Sequence, residues 1–328
     1  MICIKIKKIS FELFAQSFFV KFIRKWSLAV NGIIPLWKQA GMTSHDCVFK
    51  VRKILKTKKV GHGGTLDPDV AGVLPIGVGK ATKLLDYLHD YPKIYYGTVK
   101  LGFSTTTEDA SGEIIKQVEN DKLDSITTKQ IDEAMSSFCG EIIQTPPMYS
   151  AVKVNGKRLY EYAREGISVE RPSRTAIIYK LKRMTEPKRV KDGLEWSFQV
   201  ECSKGTYIRT LAVDIGEKLG VPSHMSHLIR LSSGGFVMKE AITLEQLQQA
   251  EESATLSSCV APIEKLTDNF VVHNLTSEEY ARVRNGQFLE LPYQDNLLAL
   301  YYQKKCVALY KKKDNVFKPE KMLRLDLA

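Results

Sequence analysis

KVGHGGTLDP, residues 59–68, sets three glycines and a histidine directly before an Asp-Pro step. Glycine reaches positive φ without steric cost and lets a second backbone or a ligand come close, so the run reads as a tight loop. That leaves Asp67 unexplained. Taken alone it is a turn residue, since Asp before Pro is common turn chemistry; the alternative is a carboxylate that the loop displays for reaction. Phosphate cradles are tested first because glycine loops build them. The P-loop pattern G-x-x-x-x-G-K-[ST] fails: Gly72 and Gly77 are followed by Val78, and GVGKAT carries Ala81 where Ser or Thr is required. No dinucleotide-binding G-x-G-x-x-G run is present either.

Outward from the loop, SHDCVFKVRKIL spaces Val48, Val51, Ile54 and Leu55 along one helical face behind Ser44 as the expected capping hydroxyl. GVLPIGVGKATKLLDYL reads as a short strand or turn, then a helix with Leu84, Leu85 and Leu88 on one side. KIYYGTVKLG alternates with period two, which puts Tyr95, Val99 and Leu101 on the apolar face of a strand. STTTEDASG is turn chemistry, and Thr128 is the expected cap of KQIDEAMSSF. In LEWSFQVECSKGTYIRTLAVDIGEKLG, Trp196, Phe198, Val200 and Cys202 alternate as a strand and Lys204-Gly205-Thr206 turns the chain. Ile208, Leu211, Ala212, Ile215 and Leu219 then follow a helix that stops at Gly220 and Pro222. Arg209 lies in its first turn, where a cation opposes the helix dipole and calls for an anionic partner. AITLEQLQQAEES is a further helix, and beyond about Pro262 the character changes to short strands with a basic run, KKKDNVFKPEKMLR.

The chain has 328 residues, enough for a large domain and a small one, and its 44% hydrophobic and 26% charged content is that of an ordinary folded protein. Lys and Arg outnumber Asp and Glu by 48 to 37, a net charge of +11, which favours a polyanionic partner through counterion release. Six scattered cysteines form no C-x-x-C pair and read as reduced thiols, and His224 and His227 have no ligand cluster around them, so they read as packing or surface residues. Residues 1–29 begin like a signal peptide, but Glu12, Lys21, Arg24 and Lys25 interrupt the apolar run. No stretch reaches the roughly 18 apolar residues of a membrane span. Translation is expected to start at Val30.

The motifs together resemble a family. NGIIPLWKQAGMTSHDCVFKVRKILKTKKVGHGGTLDPDVAGVLPIGVGKATKLL is similar to the opening of the bacterial tRNA pseudouridine synthase B family, TruB, which isomerises uridine 55 in the T-loop of tRNA. KIYYGTVKLG resembles its tyrosine strand, TPPMYSAVKVNGKRLYEYAREG the next block, SKGTYIRTLAVDIGEKLG its arginine segment and HLIRLSSGGF its leucine motif. These five motifs stand in order across residues 31–240, and the tail resembles the small PUA RNA-binding module. The resemblance implies an α+β fold: a pseudouridine synthase catalytic domain with a central mixed, largely antiparallel sheet flanked by helices, plus a small β-rich C-terminal PUA-like module. The implied boundaries are an extension at 1–30, either a misassigned start or disordered; the catalytic domain at 31–245; a linker helix at 246–261; and the PUA-like module at 262–328.

Carried over residue by residue, Asp67 matches the family's catalytic aspartate, Tyr95 its active-site tyrosine, Arg209 the arginine that pairs with the aspartate, and Leu228 the leucine lining the pocket. His62 matches the residue that supports the RNA where the target base has been flipped out. Lys38, Lys153, Lys157 and Arg158, with Arg164 nearby, are expected to bind substrate. Two departures stand out: Lys38-Gln39 replaces the usual Lys-Pro, and Gly63 replaces Thr or Ala, which is expected to loosen the loop. Read by residue type alone, Tyr95 and Leu228 also fit core packing, and His62 a hydrogen-bonded loop histidine.

The residue types suit the reaction. Cleaving the C1′–N1 bond and joining C1′ to C5 needs a carboxylate that attacks the sugar or adds to C6 of the base, and oxocarbenium character at the sugar is stabilised by a nearby anion. A carboxylate ionised in a pocket closed to water needs a cation, and an arginine can bind it with two prongs. Tyr95 can stack on the uracil, and a base inside a folded loop must be extruded to be reached. The implied partner is tRNA, bound at its T-stem-loop by a cytoplasmic monomer without a cofactor, metal, membrane or obligatory protein partner. Three alternatives stay open: a non-catalytic tRNA-binding or folding protein on the same scaffold, a guide-RNA-dependent pseudouridine synthase, and a sugar-bond hydrolase that releases uracil. Mass spectrometry of the cellular protein is expected to find Val30 as the initiating position, and a peptide from residues 8–21 would contradict it.

Overall fold

The computed structural model describes residues 30–119, 121–324 and 327, and the expectations for residues 1–29 lie outside them. In chain order the first part runs β1 (Gly32–Lys38), α1 (Ser44–Ile54), β2 (Val60–His62), β3 (Ala71–Val78), β4 (Lys93–Leu101), β5 (Phe103–Thr105), β6 (Ile114–Gln117), α2 (Thr128–Ser136) and β7 (Gly140–Gln144). The second part runs β8 (Lys153–Val154), β9 (Lys157–Arg158), α3 (Leu159–Arg164), β10 (Arg174–Arg183), β11 (Lys188–Val190), β12 (Gly193–Cys202), α4 (Ile208–Lys218), β13 (Ser223–Ser233), β14 (Phe236–Val237) and α5 (Leu244–Glu252).

Period-two burial along β4 and β12 follows the alternation in the sequence. The central sheet has the order β1-β3-β13-β4-β12-β10-β7, with β2 beside β3, β11 beside β12 and β14 beside β13. All these pairings are antiparallel except β3 with β13, so the sheet is mixed and largely antiparallel, as the resemblance implied. Trp196, Phe198, Val200 and Cys202 face Leu211, Ala212 and Ile215 of α4 in one apolar core. Fully burying such a side chain contributes about 1.5–3 kcal/mol, and this core fixes where the first turn of α4 lies.

Local chemistry departs from the sequence reading in three places. The cap of α1 is Thr43, not Ser44: Thr43 and Asp46 satisfy each other's backbone N–H groups, because the acid stands three residues after Thr43 and completes a capping box. For the same reason Thr127, with Gln130, caps α2 in place of Thr128. The helix expected after β3 is a 3₁₀ run, Gly79–Asp90, whose three-residue turn stacks the buried Ala81 and Leu84.

The tail folds as a second sheet, β15 (Val271–Asn274), β16 (Leu297–Tyr302), β17 (Lys305–Lys313) and β18 (Val316–Met322), with α6 (Ser277–Arg284) against it. It is joined to the first part by packing. Ile33, Val73, Leu84 and Leu88 share one apolar cluster with Ala299, Cys306, Leu309 and Leu323. The segment between the two parts covers the outer edge of β1: Ile33 and Ala261 exchange backbone hydrogen bonds of 2.9 and 2.7 Å, and Trp37 N–H donates to Ile242 O at 2.7 Å. An edge strand covered in this way cannot recruit another chain.

The parallel seam between β3 and β13 depends on Gly72, which has φ +140°. A Cβ there would stand 2.4–2.8 Å from the backbone O, N and Cα of Arg230. Gly72→Ala is therefore expected to cost on the order of 2–4 kcal/mol, a clash with backbone that cannot rotate away. Urea unfolding should show it as a lower midpoint with the slope kept.

Candidate active site

The glycine loop is not loose. Gly63 N–H donates to Pro75 O at 2.8 Å, Leu66 N–H to Ser44 Oγ at 2.9 Å, and Val70 N–H to Asp67 O at 3.1 Å. Ser44, freed from capping, thus becomes a tether for the loop. Gly63 sits against Leu88, whose Cδ1 would lie 2.6 Å from an added Cβ, so the departure from Thr or Ala here makes close packing and does not loosen the loop.

Two cations finish the restraint from below. Lys38 is fully buried, and its ammonium donates to the carbonyls of Met42 at 2.6 Å, Pro68 at 2.8 Å and Gln39 at 3.1 Å. The expectation that Lys38 binds substrate is therefore corrected: backbone oxygens enclose it, and it fixes the residue after Asp67. Burial pushes its pKa down, opposed by nearby Cys47, Asp69 and Asp67. Arg230, 1% exposed, donates to Val73 O at 2.9 Å and to Thr65 O and Gly64 O at 3.1 Å.

Asp67 so held meets Arg209 from the first turn of α4. Nε of Arg209 lies 3.1 Å from Oδ2, and Nη2 lies 3.3 Å from Oδ1, the two-pronged pairing expected of a guanidinium and a carboxylate. The remaining Arg209 donors go to Thr107 O at 3.1 Å and Tyr149 O at 3.0 Å, which gives the STTTEDASG and PPMYS segments their place in the site. The start of α4 is fixed in turn by buried Gln144, which accepts from Tyr207 N–H at 2.9 Å and donates to Tyr207 O at 3.1 Å.

Arg209 is 7% exposed and Asp67 41%, so the carboxylate opens on solvent and is not sealed from water. Even so, the surrounding protein pushes its pKa up from the ordinary value; Arg209 and Lys38 pull down, and Asp109 and Asp69 push up. The carboxyl is paired yet easier to protonate than a free aspartate.

The carboxylate looks into a cavity of about 560 Å³. Tyr95 on β4 and Leu228 on β13 line it, each 8% exposed. Leu228 stands across from Gly97, where a Cβ would press on Phe198 at 2.7 Å and Leu228 at 3.1 Å, so the missing side chain makes room for the wall. Burial raises the Tyr95 pKa, and Arg230 opposes it. Asp67 is the one carboxylate among the described residues that line the cavity, against Lys93, Lys153, Arg174, Lys204, Arg209 and Arg230. Such a wall attracts an anionic ligand.

The other expected residues divide. Lys153 lines the cavity. Lys157 is engaged with Glu165 and lies 4.9 Å from the Tyr162 ring. Arg158 and Arg164 stand 5.7 and 5.3 Å from the Tyr160 ring, a basic and aromatic surface beside the cavity. His62 ends β2 and does not line the cavity; burial lowers its pKa, and Gly64 N–H donates weakly to its Nδ1 at 3.4 Å. Arg230 was missed by the sequence reading. Its signal was its spacing, two residues beyond Leu228 and so on the same face of the strand.

The TruB family pseudouridylate synthase N-terminal domain matches residues 52–208, and the tRNA pseudouridylate synthase B C-terminal domain matches 209–267. The tRNA pseudouridine synthase B of Streptococcus pneumoniae serotype 2 is 53% identical over 293 residues, 89% of this chain and 99% of that protein. The Bacillus pumilus protein of the same name is 48% identical over 309 residues, 90% and 99% of the two chains. Among solved structures, a Cbf5-Nop10-Gar1 complex aligns with TM-score 0.68 and 29% identity over 89% of this chain and 85% of that one.

Because Arg209 holds the Asp67 pKa down against burial, Arg209→Gln should raise it. Carbon-13 NMR of the Asp67 carboxyl is expected to find its midpoint above 3.8 in the wild type and higher still in the variant. A midpoint that does not move would mean the two groups are not coupled in solution.

Proposed function

This chain belongs to the TruB family and is a tRNA pseudouridine synthase, an isomerase, and from that premise we propose that Asp67 is its catalytic carboxylate, acting on uridine 55 after that nucleotide is everted into the cavity. The observation that supports this is the two-pronged Asp67–Arg209 contact, 3.1 and 3.3 Å, at a cavity walled by Tyr95 and Leu228. The protein is proposed to work without a protein partner on the T-stem-loop.

The reaction breaks C1′–N1, forms C1′–C5, moves a proton to N1 and removes one from C5. Atoms balance within the substrate, so no oxidant or reductant is consumed. Asp67 has two routes: attack on C1′, where a carboxylate stabilises oxocarbenium character, or addition to C6. Both need the ionised carboxylate, which Arg209 favours while its fork fixes the direction of both oxygens. Tyr95 offers a ring on which the uracil stacks and a hydroxyl at the sugar. Leu228 keeps water from the detached base, so that the cleaved pair recombines and is not hydrolysed. The cationic wall and the Tyr160 surface receive phosphates and bases of the folded RNA. His62, at the edge of the loop, is placed to support the stem when the base leaves it.

Purified wild-type protein is expected to convert a T-stem-loop transcript to pseudouridine, read by nucleoside mass spectrometry. Asp67→Asn should lose turnover by roughly 10³-fold or more while its Kd for the transcript stays within about threefold. Equal modification by both proteins would refute the role of Asp67, free uracil as product would point to a hydrolase, and binding without product in the wild type would point to a tRNA-folding protein. Arg209→Lys, which keeps the charge and loses the fork, should lower kcat by about 10- to 100-fold.

A further inference from the structure

Arg230 is the least expected group near the cavity. It is among the largest fully buried side chains, and among the described residues no carboxylate lies within ion-pairing distance of it. Its hydrogen-bond partners are neutral backbone oxygens, Val73 O, Thr65 O and Gly64 O. A desolvated cation without a counter-ion is costly, and such groups recur where negative charge develops during a reaction. Its place in the sheet is equally specific. Arg230 on β13 is directly opposite Tyr95 on β4, so the two side chains stand side by side on the cavity face. The same guanidinium thus holds two carbonyls of the loop that carries Asp67 and sets its charge beside Tyr95.

We infer that Arg230 is a positioning residue for the isomerisation: it locks the Asp67 loop against β13 and sets a fixed positive charge beside the Tyr95 phenol at the cavity. This rests on the reading of Asp67 and Tyr95 given above. Negative charge growing on the Tyr95 oxygen meets a fixed positive group that needs no rearrangement. The charged and titratable groups facing Tyr95 are Arg230 from β13, Cys202 from β12 and Asp67 from the loop; Arg230 favours the ionised phenol and the other two oppose it.

The test uses Arg230→Gln and Arg230→Lys in the full chain, with 3-fluorotyrosine placed at position 95 as a fluorine NMR reporter. For Arg230→Gln, kcat on the T-stem-loop is expected to fall at least 30-fold with KM within threefold. The titration midpoint of the residue at position 95 should rise by about one pH unit or more, the size of effect a charge within 4–6 Å exerts. Arg230→Lys restores charge without the fork, so its midpoint should stay near that of the wild type and its kcat should lie between the two. A role in packing alone would lower the melting temperature and move neither the midpoint nor kcat measured on folded protein, and that result would overturn the inference. Should Arg230→Gln fail to fold, Arg230→Lys decides alone: kcat equal to the wild type overturns the inference, and a fall of about threefold or more at unchanged KM supports it. Failure of the underlying reading is separate, since it appears as wild-type protein without product or as an active Asp67→Asn.

Discussion

A carboxylate and a guanidinium 142 residues apart in sequence meet through two contacts, and the site is arranged around keeping them together. Neither partner would stay in place unaided. Arg209 stands in the first turn of a helix, against the dipole, and Asp67 sits among protein atoms that raise its pKa. Each is stabilised by the other, and each is held by a ring of backbone contacts. Lys38, Ser44 and Arg230 fix the loop, while Gln144, Thr107 and Tyr149 fix the helix start and its arginine. These contacts run from side chain to backbone, so they set the path of the chain and through it the direction of the acid.

Much of this was legible in the sequence and some was not. The alternation in β4 and β12, the helix that carries Arg209 and the loop before Asp67 rest on local periodicity and turn chemistry, which a linear reading captures. The fate of the lysines and arginines does not. Lys38 and Lys153 are the same residue type, yet one is fully buried and the other lines the cavity. The difference is made by carbonyls from Met42 and Pro68, brought in by tertiary structure alone. Arg230 was hidden for the same reason, because its acceptors lie about 157 to 166 residues away. Ser44 and Thr128 were misplaced by one position in their helices, where two adjacent hydroxyls compete and the acid or amide three residues on decides.

The cavity also revises the notion of a dry acid. The Asp67 side chain is 41% exposed, so the protein's own side chains do not seal it from water. On the proposed reading the incoming nucleotide is itself the stopper. Its ring, laid on Tyr95 and against Leu228, would strip water from the carboxylate and strengthen every charge interaction around it. A cation-rich wall with a single acid then has a double use: it draws in the RNA backbone and leaves the one negative group where the sugar arrives.

The apolar cluster that joins β1, β3 and the 3₁₀ run to the second sheet has a consequence for how the molecule comes apart. Ile33 and Val73 belong to strands that also frame the reactive loop, and they share their burial with Ala299, Cys306 and Leu309. Detaching the tail would expose hydrocarbon in the strands behind Asp67, so the second sheet contributes to the stability of the strands that frame the site. A different C-terminal sheet in that place would have to cover the same apolar residues of β1, β3 and the 3₁₀ run.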